Sequence, residues 1–199
     1  EVGETGVING VTYTVVDEAM LREMVANEED VTKAVTTRVT DMSLMFNGEV
    51  VGTPPFNQDL SSWDVSRVTD MSFMFTYSVF NQPLNSWDVS NVTNMDAMFA
   101  ASPFNQPLNS WDVSNVTIMF VMFYESIAFN QDISNWNVSS VNDMGYMFYD
   151  AAAFNQDLSN WSVDGVSGIG QSEESACAGF SDGATSWTLP QPNFTNCTP

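Results

Sequence analysis

The chain has 199 residues, with 25 acidic side chains, 4 basic ones and no histidine, for a formal charge of −21. Nucleic acid is not expected as a partner, because phosphate contacts need cations, and an anionic lipid surface is disfavoured for the same reason. Histidine-dependent nucleophiles and histidine metal ligands are ruled out, while a hydrophobic content of 44% with 13% aromatics suffices for a core.

Residues 1–10 precede the first periodic element and read as a linker or as a strand donated to a neighbour. Residues 11–16 are rich in β-branched and aromatic side chains and predict a strand. Asp17 then suits a helix N-cap, and Met20, Leu21, Met24 and Val25 form one apolar stripe opposite Glu18, Glu23 and Glu28. This helix is expected to cover the first coil of a repeat array that starts at residue 31. No apolar run approaches the ~20 residues of a membrane helix, so no transmembrane segment is expected. No basic segment followed by an apolar one opens the chain, so no signal peptide is visible.

From residue 31 onward the sequence repeats itself. Phe-Asn-Gln begins at Phe56, Phe80, Phe104, Phe129 and Phe154, and Trp63, Trp87, Trp111, Trp136 and Trp161 follow seven residues later. The spacings are 24, 24, 25 and 25. A Met-x-x-Met-Phe segment closes four of these repeats, ending at Phe75, Phe99, Phe123 and Phe148. An earlier half-repeat ends at Phe46, and a five-residue insertion around residues 47–55 separates it from the next. Phe180 and Trp187 keep the Phe-to-Trp spacing in a degenerate last coil, as an exposed array end requires.

Each repeat carries two periods. Trp63 and Val65 alternate with polar neighbours and predict a short strand. Val68, Met71, Met74 and Phe75 fall at i, i+3, i+6 and i+7 and predict a short helix, with Ser66 or Thr69 as cap. The fold expected is an α/β solenoid, a right-handed coil of leucine-rich-repeat-like geometry with one strand and one helix per repeat. It forms a single domain over residues 1–199, divided into an N-terminal strand-helix cap (1–30), repeat coils (31–176) and a C-terminal capping coil (177–199). Cys177 and Cys197 bracket the last coil. With no histidine and two sulfurs, a disulfide is expected rather than zinc. Its loop of about 20 residues would stabilise by roughly 3 kcal/mol, and it argues for an oxidising compartment.

The motif F-N-Q-[DP]-[LI]-x-x-W-[DNS]-V-S-x-V-T-x-M-x-x-M-F resembles the BspA-like leucine-rich-repeat surface proteins over roughly residues 31 to 190. The same repeat occurs in mycoplasma-type surface lipoproteins and in large secreted proteins of marine bacteria and microalgae. The resemblance implies cell-surface display with binding or adhesion, and no catalytic residues.

The outward positions of the predicted strand form the expected ligand face: Ser62 and Asp64, Ser86 and Asp88, Ser110 and Asp112, Asn135 and Asn137. Stacked at ~4.8 Å, Asp64, Asp88 and Asp112 would repel, which makes calcium a possible ligand there. No cofactor is required. Asn57, Asn81, Asn105, Asn130 and Asn155 hold one position beside the repeated Phe and predict a structural amide ladder. The Trp and Met columns read as core. Asn193 and Asn196 are the better glycosylation candidates among six sequons. Acids that recur with the repeat do not converge on a pocket, so no enzyme is expected. The function expected is a non-enzymatic extracellular, cell-surface binding or adhesion module within a larger surface protein, contacting a glycan or a protein. The alternative is a structural subunit that stacks with copies of itself into a filament or stalk.

Overall fold

The computed structural model describes residues 1–49 and 55–199, so most of the insertion expected around residues 47–55 lies outside the described residues. β1 (Thr5–Ile8) and β2 (Val11–Val15) form an antiparallel hairpin through Asn9 and Gly10, at φ of 52° and 81°. Two positive φ angles at Asn-Gly match the strand twist of a two-residue hairpin. Residues 5–8 thus pair with the chain's own β2, which corrects the reading of residues 1–10 as a linker or donated strand. Asp17 accepts the Met20 N–H at 2.9 Å and caps α1 (Glu18–Ala26), whose Leu21 and Val25 are buried. A 3-10 turn at Val31–Lys33 leads to β3 (Ala34–Val35), parallel to β2, in a sheet of order β1-β2-β3.

Beyond β3 the described residues hold no further helix and only isolated bridges, which overturns the α/β solenoid with a strand and a helix in each repeat. The reason lies in where the backbone N–H groups go. In the segment read as a helix, Met74, Thr76 and Ser78 donate to Met71, Phe73 and Phe75 at 3.3, 3.4 and 3.2 Å, closing consecutive three-residue turns. The N–H groups between them cross to the next coil: Met71 to Asn94, Phe73 to Asp96, Phe75 to Met98 and Tyr77 to Ala100, at 2.7–3.0 Å. An α-helix needs each of those donors for its own carbonyls four residues back. A helix of this length is also marginal in its own right. Apolar spacing at i and i+3 is met equally well by tandem turns.

The turns place Phe73, Ala97, Val121 and Tyr146, and then Tyr77, Ala101, Glu125 and Asp150, at φ between 47° and 56°. A non-glycine residue there costs roughly 1–2 kcal/mol, which the cross-coil hydrogen bonds offset. The same bonding recurs from Met42 through Asp150, so successive repeats stack in register. Single parallel bridges join Asp41 to Asp70, Asn94, Ile118 and Asp143 in turn. They fall in the segment read as helix, while residues 62–66, read as strand, are irregular.

The core runs through the stack as columns of aromatic rings. Phe75 stacks on Phe99 at 5.6 Å, Phe99 on Phe123 at 5.7 Å and Phe123 on Phe148 at 5.5 Å. Trp63, Trp87, Trp111, Trp136 and Trp161 are buried alongside the paired methionines. Each indole N–H donates to the preceding coil, as Trp87 does to Leu60 O and Trp111 to Leu84 O, both at 2.9 Å. A buried indole donor needs such a partner. At the far end Cys177 is joined to Cys197, and Phe194 packs edge-on against Phe180 at 4.9 Å.

Candidate functional site

Ser62, Asp64, Ser86, Asp88, Ser110, Asp112, Asn135 and Asn137 lie on the surface of the stack, and much of their bonding capacity is spent on the stack itself. Ser62 and Ser86 donate to Thr32 O and Ser61 O at 3.2 and 3.1 Å. Ser110 N–H donates to Asn85 Oδ1 at 2.9 Å, and Asn135 Nδ2 to Asn109 O at 2.8 Å. Asp64 accepts both the backbone N–H and the hydroxyl of Ser66, at 3.0 and 2.6 Å. Asp88 does the same with Ser90, and Asn137 with Ser139. These are local turns closed by a side chain onto the backbone two residues ahead. Hydrogen bonds from Ser66 and Ser114 hold the Asp64 and Asp112 carboxyls below the ordinary carboxylate range. Asp59, Asp132 and Asp157 use Ser61, Ser134 and Ser159 in the same way. Each of these recurrent acids therefore has an intra-coil partner of its own. Among the described residues no group of three or more acidic or cysteine side chains is gathered closely enough to hold a metal ion, and Asp64, Asp88 and Asp112 form no such cluster.

The Asn column forms a continuous ladder. Asn57 Oδ1 accepts from Asn81 N–H, Asn81 from Asn105, Asn105 from Asn130 and Asn130 from Asn155, at 2.9–3.0 Å. Asn155 Oδ1 ends it by accepting Thr188 and Leu189 N–H at 2.8 and 3.0 Å. Asn193 and Asn196 are exposed, and Asn196 Nδ2 donates to Asp164 O at 2.8 Å.

A different edge of the stack carries a concave surface. An open groove of about 910 Å³ runs along the four linkers that follow Phe75, Phe99, Phe123 and Phe148. Tyr77, Ala101, Glu125 and Asp150, all at positive φ, occupy equivalent positions along it. Pro103, Ile127, Ala128 and Ala152 add apolar surface, and Thr185 and Gly183 close the far end. Tyr77 and Ile127 are 49% and 66% exposed. Tyr124 and Tyr149 stack at 5.1 Å beside Glu125 and Asp150. The sequence varies most here. The linkers after Phe75, Phe99, Phe123 and Phe148, which line this edge, hold 4, 4, 5 and 5 residues, so the change of repeat length from 24 to 25 falls here. Variation in length and identity is the one sequence signal that marks the groove, because the repeat does not dictate this stretch. The periodic positions build the fold.

Periodicity also passes over a buried acid. Asp96 is 7% exposed, and its Oδ1 has no hydrogen-bond partner. Burial, reinforced by the charges of Asp143 and Asp70, pushes its carboxyl up to about 7. It stands where other repeats carry Ser72, Phe120 and Gly145, so no periodic pattern marks it.

The family described as "Mycoplasma protein of unknown function, DUF285" matches residues 17–121 and again residues 100–187. No curated protein and no solved structure matches the chain.

Proposed function

The chain belongs to the DUF285 family, and on that premise we propose that it is a non-enzymatic binding or adhesion module displayed outside the cell within a larger surface protein. The observation that carries the reading is the groove, in which the non-repeating residues of four linkers and of the last coil share one concave edge. Concave sites with apolar walls and a few polar groups are where ligands bind. The Tyr77 ring offers a face for stacking, and Glu125, Asp150 and Thr185 offer hydrogen-bonding groups, a combination suited to a glycan or to a polypeptide. The resemblance to BspA-like surface proteins supports surface display, although the coils are turn-built and do not share leucine-rich-repeat geometry. The disulfide supports an oxidising, extracellular setting. No helix among the described residues is long and apolar enough to cross a membrane.

The test is ligand capture on glycan and surface-protein arrays, with and without calcium. Tyr77→Ala with Ile127→Ser should abolish capture and leave the melting temperature unchanged. Asp88→Asn with Asp112→Asn should leave capture intact. The reverse pattern would move the site to the Ser/Asp face.

The second reading, a subunit of a filament or stalk, rests on β1. This edge strand is exposed along its whole length, with Val7 and Ile8 at 69% and 63%. A bare edge strand is a template for another chain. Sedimentation at micromolar concentration distinguishes the two readings, because a monomer throughout is incompatible with assembly.

A further inference from the structure

Residues 168–175 are inserted ahead of the last set of turns, which residues 176–182 form by accepting from Met144, Tyr146, Phe148 and Asp150, and the insertion folds back on itself. Gly170 N–H donates to Glu174 O at 2.7 Å, Ala176 N–H to Gly168 O at 3.2 Å, and Ile169 bridges Ser175 antiparallel. The resulting strap is fastened to the coil before it. Gln171 N–H donates to Asp143 Oδ2 at 2.7 Å, and the Tyr146 hydroxyl donates to Glu174. Gly170 lies so close that a Cβ there would meet Asp143 Oδ2 at 2.8 Å.

Under this strap lies Asp96. The Gln171 amide faces it from the strap, Asp143 from the coil that holds the strap, and Asp70 from the coil before its own. The strap's own acids, Glu173 and Glu174, are exposed. No lysine or arginine follows Arg67 in the sequence, so none of these later segments supplies a countercharge. Ser172 Oγ, on the strap, is likewise buried without a partner.

We propose that Asp96 is a protonation latch: with its carboxyl neutral the strap closes over Asp143, and with it ionised the strap opens. An ionised Asp96 would face the Asp143 carboxylate with Oδ1 unsatisfied, and an unpaired buried charge is relieved either by taking up a proton or by admitting water. The middle of the strap is the part that can yield: Gln171 N–H on Asp143 Oδ2 and the Tyr146 hydroxyl on Glu174 hold it there, while Met144 N–H on Ala176 O at 2.8 Å anchors its end. The upward displacement of the Asp96 carboxyl to about 7 puts the change near neutral pH.

Amide hydrogen exchange of residues 169–175, corrected for intrinsic rates, tests this. Protection should fall about tenfold or more between roughly pH 5.5 and pH 8.5, while the amides of Phe99 and Met122 in the core stay protected. Asp96→Asn should hold the strap protected at both values. Asp143→Asn removes the nearest like charge and should move the transition to lower pH. Protection of the wild-type strap that does not change with pH overturns the proposal. So does an undiminished fall in Asp96→Asn, or a transition that stays in place in Asp143→Asn.

Discussion

Asn105 Oδ1 accepts two hydrogen bonds from the following coil, the backbone N–H of Asn130 at 3.0 Å and the side-chain amide of Gln131 at 2.9 Å. One carboxamide oxygen therefore satisfies two donors where the chain turns into its next repeat. Asn105→Ala should lower stability by about 1–3 kcal/mol, because the Asn130 N–H loses its acceptor and the Gln131 amide keeps only Asn105 O, at 3.1 Å. Urea denaturation should show an earlier midpoint with an unchanged slope. A midpoint equal to wild type would mean that water replaces the ladder at no cost.

The positive φ of 50° at Ala101 makes a prediction opposite in sign to the usual one for glycine. Ala101→Gly should be neutral to stabilising by up to about 1 kcal/mol, since relief of left-handed strain outweighs the added freedom of the unfolded chain. Ala101→Val should cost about 1–2 kcal/mol, because β-branched residues tolerate this region least. Melting temperatures of the pair give the order directly, and Val above Gly would refute the turn geometry.

Removing the Cys177–Cys197 link as the double serine variant should cost about 3 kcal/mol, the closure entropy of its loop of about 20 residues. The loss should concentrate in the last coil. Quenching of Trp187 fluorescence should rise at lower denaturant than the unfolding of Trp87 and Trp111. A single shared transition would show that the terminal coil is not separately sensitive.

Stability should pass through a maximum near pH 4 to 5 and decline from there to about pH 7. On the acid side, Asp30 is held down to about 2, chiefly by Lys33 and then Thr32, and Asp59, Asp64, Asp112, Asp132 and Asp157 are lowered by their serines. These groups stabilise above the ordinary carboxylate value, and that contribution is lost as pH falls through their folded values. Asp96 works in the other direction. Its carboxyl is raised, so its contribution is complete below 3.8 and disappears as pH rises through about 7. Melting temperatures across this range should show both limbs. Asp96→Asn should flatten the upper limb and leave the acid limb in place.

The array itself was legible in the sequence, because Phe, Trp and Met recur at positions that only a periodic core would require. The Phe-Asn-Gln asparagines likewise carry their job in their spacing. The local conformation was not legible. Met71, Met74 and Phe75 suit a helix and a run of turns equally, and what separates them is the destination of the intervening N–H groups, which lie 23 residues from their partners, as in Met71 to Asn94. Trp63-Asp64-Val65-Ser66 alternates as a strand does, yet Ser66 closes onto Asp64 and bends the chain. The groove residues differ from repeat to repeat, so periodic reasoning passes over them, and Asp96 is visible only through its burial.

Because each coil contacts its neighbours in sequence order, the two chain ends sit at opposite ends of the stack, and that has a mechanical consequence. A module held at one end and loaded at the other would peel one repeat at a time, each releasing on the order of 80 Å of extended chain. The covalent link between Cys177 and Cys197 withholds the residues it encloses from that extension. Under tension the protein would act as a serial shock absorber, yielding in even steps and stopping short at its cross-linked end.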